Sequence, residues 1–407
     1  MRGNWGHAVD RVKPLFALLT AHFVAATSSV ITVFMTAFLL GPEGRGQIAF
    51  VLAASNIIGA LGFSSLHVGV LKEVSEGNEL APRVGLSMAA RISFGIFIAS
   101  VVWSGFLLAT DHADTAALVL VTGMGAALVV LNLFILRACQ ALGDDEGFKR
   151  GWLIQGLMMV FPGIPILLVF PTVTPFLVVW LSSLFASALY VFRRRTWFAP
   201  EYHGAQRRRL LSHSLRAHAG TVGTQVLNRL PVVALGVTAP PATVGVYSVA
   251  APISELTWLI SEAFSLLAFR KAVADRQQKR DRDRTLHALH VWMTTVSAAV
   301  IAVGVVTLFP YILPTFPEVP LLVLILLPGV LVQGHARVAM SRVTGRGGVN
   351  ASSRIGIISG VLSLTFFPVA AAWGAIGVAT AASVLFGLQG IGVLLVDRQL
   401  ARREWGS

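Results

Sequence analysis

The sequence predicts an all-α polytopic membrane protein: twelve transmembrane helices in two six-helix lobes, with both termini on the cytoplasmic side. Three observations predict it. Apolar blocks of about 20 residues, the length that crosses a bilayer, recur along the chain. Lys and Arg collect on alternate sides of those blocks, and an ungapped internal repeat relates the two halves. The 407 residues are 55% hydrophobic and 13% charged, with a mean hydropathy of +0.74, more apolar residue than a soluble core uses.

The apolar runs lie at 15–40, 47–70, 86–109, 116–136, 152–170 and 173–192, and again at 243–269, 288–309, 319–336, 354–373 and 375–396. The first, Leu15 to Leu40, is too long for a signal-peptide core and lacks a small-residue cleavage site, so it is expected to be retained. Segment 217–238 is weaker, and the basic residues settle its status. Arg193, Arg194, Arg195, Arg207, Arg208, Arg209 and Arg216 precede it, while Arg270, Lys271, Arg276, Lys279, Arg280, Arg282 and Arg284 follow the next run. Both clusters belong on the cytoplasmic face, so an even number of spans separates them and 217–238 must cross.

With twelve spans nearly all the remaining basic residues also fall on or near the inner side. Lys72 and Arg83 occupy the first inner loop, Arg137, Lys149 and Arg150 the second, and Arg337, Arg342, Arg346 and Arg354 the last. Arg45 is the one basic residue in an outer turn. The net charge of +13 is therefore a signature of membrane orientation, and nucleic-acid binding is not expected. Cys139, the only cysteine, excludes an intrachain disulfide and argues against a structural metal site.

Residues 46–74 and 245–273 align without a gap: Gly46 falls on Gly245, Ser55 on Ser254, Lys72 on Lys271 and Val74 on Val273. An offset of six spans keeps both copies in the same orientation, as in parallel repeats about an axis normal to the membrane. The predicted lobes are 1–195 and 217–407, joined by a basic cytoplasmic linker at 196–216. In such architectures the transport site lies near the midplane between lobes.

That placement selects the polar residues of the seventh and eighth spans. His218, Thr221, Gln225 and Asn228 recur at helical spacing with Arg229 beside them, and Pro231 follows, where it is expected to kink or loosen the helix. An arginine at mid-span costs about 2.5–3.5 kcal/mol on the insertion scale, so it faces protein or water. Two roles are open to Arg229: an anion ligand, or an internal ion pair with Glu255 of the eighth span. Glu255 is a candidate H+ or Na+ coupling site, with His22 and His218 as further candidates or as interhelical hydrogen-bond partners. The repeat places Asn56 in register with Glu255. Span 1 adds His22, Ser29, Thr32 and Thr36, completing the polar walls of a hydrated, partly cationic cleft. Arg45, in "LGPEGRGQIAF", suits a tight outer turn or an outer gate; Arg91 can snorkel to the inner face or line the inner mouth. "GRGG" at 345–348 lacks a preceding strand and a Walker lysine, so no nucleotide site is expected.

"LLGPEGRGQIAFVLAASN" resembles the start of the Wzx-type polysaccharide flippases of the multidrug/oligosaccharidyl-lipid/polysaccharide (MOP) superfamily. The resemblance continues through "LNRLPVVALG", "ATVGVYSVAAPISELTWLISEAF", "LLPGVLVQGHARVAMSRVTGRG" and "AAWGAIGVATAASVLFGL", and so covers nearly the whole chain. It implies a two-lobed transporter of the bacterial cytoplasmic membrane. Such a protein moves undecaprenyl-diphosphate-linked oligosaccharide from the inner to the outer leaflet by alternating access. It has no cofactor beyond a coupling ion, and works beside other polysaccharide assembly proteins and membrane lipids. Arg229, Asn228, Gln225, Asn56, Arg45 and Arg91 are then the candidate substrate contacts. Many relatives carry an acid two positions after the span-7 arginine, where this chain has Pro231; that acid's role is lost here or passes to Glu255. A multidrug exporter of the same superfamily is the rival reading, with Glu255 and Trp258 lining the cavity. A membrane-embedded ligase or polymerase fits less well, because no outer loop exceeds about ten residues, and the chain is expected not to be an enzyme.

Overall fold

The computed structural model describes residues 4–63, 65–78, 80–194, 204–265, 267–268, 284–345 and 348–405, with side chains described at most positions from Thr27 onward. Among them every regular element is helical. The first, α1 (Asn4–Phe63), is interrupted at Gly41, whose φ of 65° and ψ of −173° belong to no helix, so its arms are 4–40 and 42–63. Only glycine enters that region without strain, and Pro42 then starts the second arm with φ already set. The chain breaks again at Ser65, ending the predicted span 47–70 early, and resumes as α2 (Leu66–Ser75).

Next come α3 (Ala81–Ala109), α4 (Ala113–Ala141) and α5 (Asp145–Val160). Asp144 caps α5 by accepting a 2.9 Å hydrogen bond from the Gly147 amide, and Asp145 and Glu146 complement the helix dipole in its first turn. The predicted run 152–170 is broken at Phe161–Pro162, since proline cannot donate to the preceding turn, and continues as α6 (Gly163–Val169). After α7 (Val173–Arg193), residues 195–203 lie outside the description. The remainder of the predicted linker is helical and continuous with span 7 as α8 (Gly204–Thr238). α8 is continuous through Pro231, which leaves the Leu227 carbonyl without a helical donor.

The eighth apolar run is bent. α9 (Pro241–Glu255) and α10 (Trp258–Ser265) meet at 45°, with Glu255 at the break. Then follow α11 (Arg284–Thr307), the single turn α12 (Phe309–Ile312), α13 (Val319–Gly345), α14 (Val349–Ala370), a 3-10 turn (Ala371–Trp373) and α15 (Gly374–Trp405). Among the described residues, eight helices are long and apolar enough to cross a membrane, or nine with the bent pair as one span. With Phe94, Trp103, Phe106, Trp292 and Val303 exposed on such helices, the chain is a multi-pass membrane protein.

Packing divides the chain into two compact units, Met1–Met35 with Leu66–Ser214, and Thr36–Ser65 with Leu215–Ser407. In the first unit, α3 lies along α4, with Gly123 against Ser100 and the Ser104 hydroxyl donating to the Ala116 carbonyl at 2.9 Å. α5 lies on α7, where Ser187 donates to the Gly151 carbonyl. The start of α8 is fastened to α2 by ionic contacts. Arg209 Nε and His213 Nδ1 lie 3.0 and 3.2 Å from Oε1 of Glu73, which is 2% exposed, and Asn78 Nδ2 donates to its Oε2 at 3.1 Å.

The second unit is built on small residues, as membrane helices require where no water drives them together. Gly329 of α13 rests on the backbone of Ser383 in α15, and Gly390 of α15 on Val332. Gly220 and Gly223 of α8 meet Gly356 and Gly360 of α14 backbone to backbone. The second arm of α1 crosses α9 reciprocally. A Cβ on Gly46 would collide with the Pro241 carbonyl, and one on Gly245 with the Pro42 carbonyl. These are the corresponding positions of the internal repeat, so its two copies touch each other about a local twofold.

Candidate substrate and ion site

The polar stripe of α8 is the starting point. Gln225 and Asn228 are half-buried, and the Asn228 Oδ1 has no hydrogen-bond partner. Arg229 is exposed, and among the described residues it makes no hydrogen bond or ion pair. Glu255, at the α9–α10 break, and the buried Tyr247 are near enough to feel its charge without pairing with it. The internal ion pair is thus not formed in this structure. A guanidinium with all of its donors open remains, and its planar fork suits a phosphate or carboxylate.

Glu255 feels a second cation, Arg337 of α13, which the sequence assigned only to the inner loop. Arg337 is itself bonded to Glu262 and lies over the Trp258 ring at 3.8 Å. Trp258 is 7% exposed, and its indole N–H donates to the Val330 carbonyl at 2.9 Å. Two arginines and two carboxylates share this corner of the second unit; Arg337 is bonded to Glu262, whereas Arg229 is bonded to no described residue.

The other candidates have different settings. Arg45 is buried at 6% exposure and does not pair with Glu43 among the described contacts. Its Nε donates to Ser248 Oγ at 3.1 Å, Nη2 to the Ser248 carbonyl at 3.3 Å and Nη1 to Thr36 Oγ1 at 3.3 Å. The Ser248 carbonyl would ordinarily accept from residue 252, which is Pro252 and has no N–H; Arg45 supplies the missing donor. Asn56 spends one amide hydrogen on Leu52 of its own helix, at 2.7 Å. His218 hydrogen-bonds the backbone of Leu61, leaving Nδ1 unpartnered. Arg91 is exposed on α3 in the first unit, and the His22 side chain lies outside the described residues. Among the described residues no three His, Cys, Asp or Glu side chains are grouped to hold a metal ion.

The role of Arg45 has a direct test. Arg45→Met is expected to lower the thermal midpoint of the purified protein by removing three donors at once, a loss of about 1–3 kcal/mol. Adding Pro252→Ala restores an N–H for Ser248, so the double variant is expected to recover part of that loss. Strict additivity in the double-mutant cycle would contradict the assignment.

Sequence reasoning missed a second polar group in the same unit: His290 on α11, His335 and Gln333 on α13, Gln389 and Asp397 on α15. Gln333 donates to Gln389 at 2.7 Å, and Arg342 donates to Asp397 at 2.7 and 3.1 Å. They sit at or near the ends of apolar runs, and only the packing of α11, α13 and α15 brings them together. The one available signal was their shared position at or near the inner ends of predicted spans.

No protein-family model and no curated protein matches the sequence. Solved structures do match. The lipid II flippase MurJ in an inward closed conformation superposes with a TM-score of 0.74, covering 94% of this chain and 87% of that one at 12% identity. An inward-facing multidrug resistance MATE family transporter of the MOP superfamily gives 0.68, with 96% of each chain covered at 14% identity. The MATE multidrug transporter DinF-BH in complex with R6G gives 0.67 over 97% and 96% of the chains, again at 14% identity. The chain shares the fold of these solved structures. At these identities the likeness is one of fold, and within that fold this chain carries an open arginine on α8 near a carboxylate at a helix break.

Proposed function

We propose that this protein is a MOP-superfamily flippase that moves an undecaprenyl-diphosphate-linked oligosaccharide from the inner to the outer leaflet of a bacterial cytoplasmic membrane by alternating access. The observation that carries the reading is Arg229: an exposed guanidinium within an apolar unit, near a carboxylate yet bonded to nothing described. Such a group is costly unless a ligand or water completes it, and a lipid diphosphate completes it with paired charge-assisted bonds while its isoprenoid tail stays in lipid. Gln225, Asn228 and Asn56 offer amides for sugar hydroxyls, and Arg45 and Arg91 are the further candidate contacts. Glu255 is the candidate coupling carboxylate, with His22 and His218 as secondary candidates.

Twelve spans, both termini cytoplasmic and lobes of 1–195 and 217–407 belong to the same proposal. The apolar segments Thr27–Gly62 and Asn350–Leu400 are 36 and 51 residues long. At about 1.5 Å per residue each exceeds a single crossing of about 30 Å. Each is also interrupted, at Gly41 and at Ala371–Trp373, so each supplies two spans. The bent α9–α10 pair is one more and α8 the last.

Export of cationic drugs uses the same fold and is the competing reading. It favours acidic and aromatic linings, but here the Trp258 face is covered by Arg337 and Glu255 is flanked by two arginines. The test is ligand-induced stabilisation of the purified protein. Undecaprenyl diphosphate at about 100 times its dissociation constant is expected to add about 2.7 kcal/mol of stability, while rhodamine 6G adds none. Stabilisation by the dye alone would move the protein to the exporter class.

A further inference from the structure

The charged start of α5 and the basic end of α7 carry a cluster that the transport site does not use. Arg150, in the second turn of α5, donates from Nη1 to the Tyr190 hydroxyl at 3.2 Å. Arg194, just past the end of α7, donates from Nη1 to the same oxygen at 3.0 Å. Its guanidinium carbon also lies 5.9 Å from the centre of the Tyr190 ring. Like charges at a membrane face ordinarily splay apart into water, where solvent and salt screen them. Here the ends of two helices gather two guanidinium groups on one neutral oxygen.

The carboxylates nearby answer only part of this charge. Glu146 is bonded to Arg150 Nε one turn away. Asp144 is near enough for Arg194 to feel its charge, but its Oδ1 is engaged in capping α5. Asp145 is bonded to neither arginine among the described residues. A phenol oxygen has two lone pairs and one hydrogen. The arginines take both lone pairs of Tyr190, so its hydrogen is left for an acceptor, and no described residue supplies one. Arg194 spends a single N–H on a described partner and keeps the others open. Two guanidinium forks and an O–H around one point are the donor set of an oxygen-rich, tetrahedral anion, which fits a phosphate.

The surroundings place that phosphate on a lipid. α5 and α7 belong to packed apolar spans whose charged ends meet at this cluster. Leu157 and Phe161 follow Arg150 at helical spacing, so an apolar stripe runs on from the arginine along one face. Both are exposed, Phe161 by 70%. A soluble phosphate has no use for that stripe, whereas a lipid lays an acyl chain along it. Tyrosine at the end of a span marks the headgroup level, and basic pockets between helices there hold anionic headgroups.

We propose that Arg150, Arg194 and Tyr190 form a binding site for the phosphate of an anionic membrane lipid, with its acyl chain along Leu157 and Phe161. The site lies wholly within the first unit, whereas Arg229 belongs to the second, and it does not depend on the flippase reading.

The test is native mass spectrometry of the delipidated full chain, titrated in detergent with phosphatidylglycerol or phosphatidylcholine of matched acyl chains. Wild type is expected to retain phosphatidylglycerol in preference, and millimolar inorganic phosphate should not displace it. Arg194→Gln is expected to weaken that retention about 10-fold, the scale of one charge-assisted hydrogen bond. Tyr190→Phe keeps both charges and the ring but removes the oxygen that gathers them; a loss of about 3- to 10-fold is expected. Arg193→Gln removes an equal charge from the neighbouring position and should cost less than about 2-fold. All three side chains lie outside the buried core, so size exclusion should report folded protein for each variant. Equal retention of the two lipids would overturn the site. So would equal losses from Arg193→Gln and Arg194→Gln with Tyr190→Phe unaffected, the behaviour of a merely basic face. Displacement by inorganic phosphate would overturn the assignment to a lipid.

Discussion

Arg229→Ala is expected to weaken binding of undecaprenyl diphosphate by about 10- to 150-fold, the equivalent of one or two charge-assisted hydrogen bonds at about 1.5–3 kcal/mol in total. The structure makes this variant unusually clean. Arg229 bonds to no described residue, so its removal leaves no buried partner stranded, and folding is expected to be unaffected or slightly improved. Arg229→Lys keeps the charge but loses the planar fork, so it should recover only part of the affinity. Equilibrium titration with the lipid in detergent or nanodiscs measures all three proteins. A loss of folded protein without a change in affinity would instead make Arg229 a structural partner of Glu255.

Gly223→Leu is expected to have the largest effect on folding. A Cβ there would sit on the Gly356 carbonyl, a backbone atom with no side-chain freedom to yield, and Gly220 and Gly360 continue the same contact. Overpacking a core commonly costs about 1–3 kcal/mol even when side chains can shift. Here two helix backbones must separate, and α8, which carries Arg229, loses its seat on α14. The folded yield by fluorescence-detected size exclusion should fall to a small fraction of wild type. Gly304→Leu is the control: nothing lies within 4 Å of its Cβ direction, and the variant should behave as wild type. Equal yields from the two variants would contradict the packing described for α8.

Much of this architecture is legible in the sequence because the bilayer permits few solutions. A crossing helix needs a run of apolar residues whatever its function, so α3, α4, α7, α11 and α13 fall where hydropathy puts them. α8 could be placed only through charge, since Arg207, Arg208, Arg209, Arg216 and Arg229 dilute its apolar content. The Gly41-Pro42 interruption was visible as turn chemistry, and the 46–74/245–273 repeat anticipated that Gly46 and Gly245 are equivalent. That the equivalent segments cross each other, backbone on backbone, is a fact of packing that no single segment contains.

The breaks were harder. No glycine or proline marks Leu256-Thr257, where α9 gives way to α10; the nearest cause is Pro252, one turn earlier, whose missing N–H is answered from outside by Arg45. The site was half-readable for a similar reason. Arg229 and Glu255 stand out because a charge in an apolar run is anomalous by itself, whereas His290, His335 and Gln333 acquire meaning only from their neighbours. Arg337 was assigned to orientation because it lies near the inner end of its span, yet it reaches Glu262, Trp258 and the field of Glu255.

The measurement that tests the central claim most directly is flipping in proteoliposomes. A fluorescent undecaprenyl-diphosphate sugar is followed by its exposure to an impermeant quencher, with wild type and Arg229→Ala reconstituted at equal density. Wild type is expected to expose the lipid well above the protein-free rate, and Arg229→Ala to fall to that rate while still folded. Equal flipping by the two proteins, or no flipping by wild type, would contradict the account.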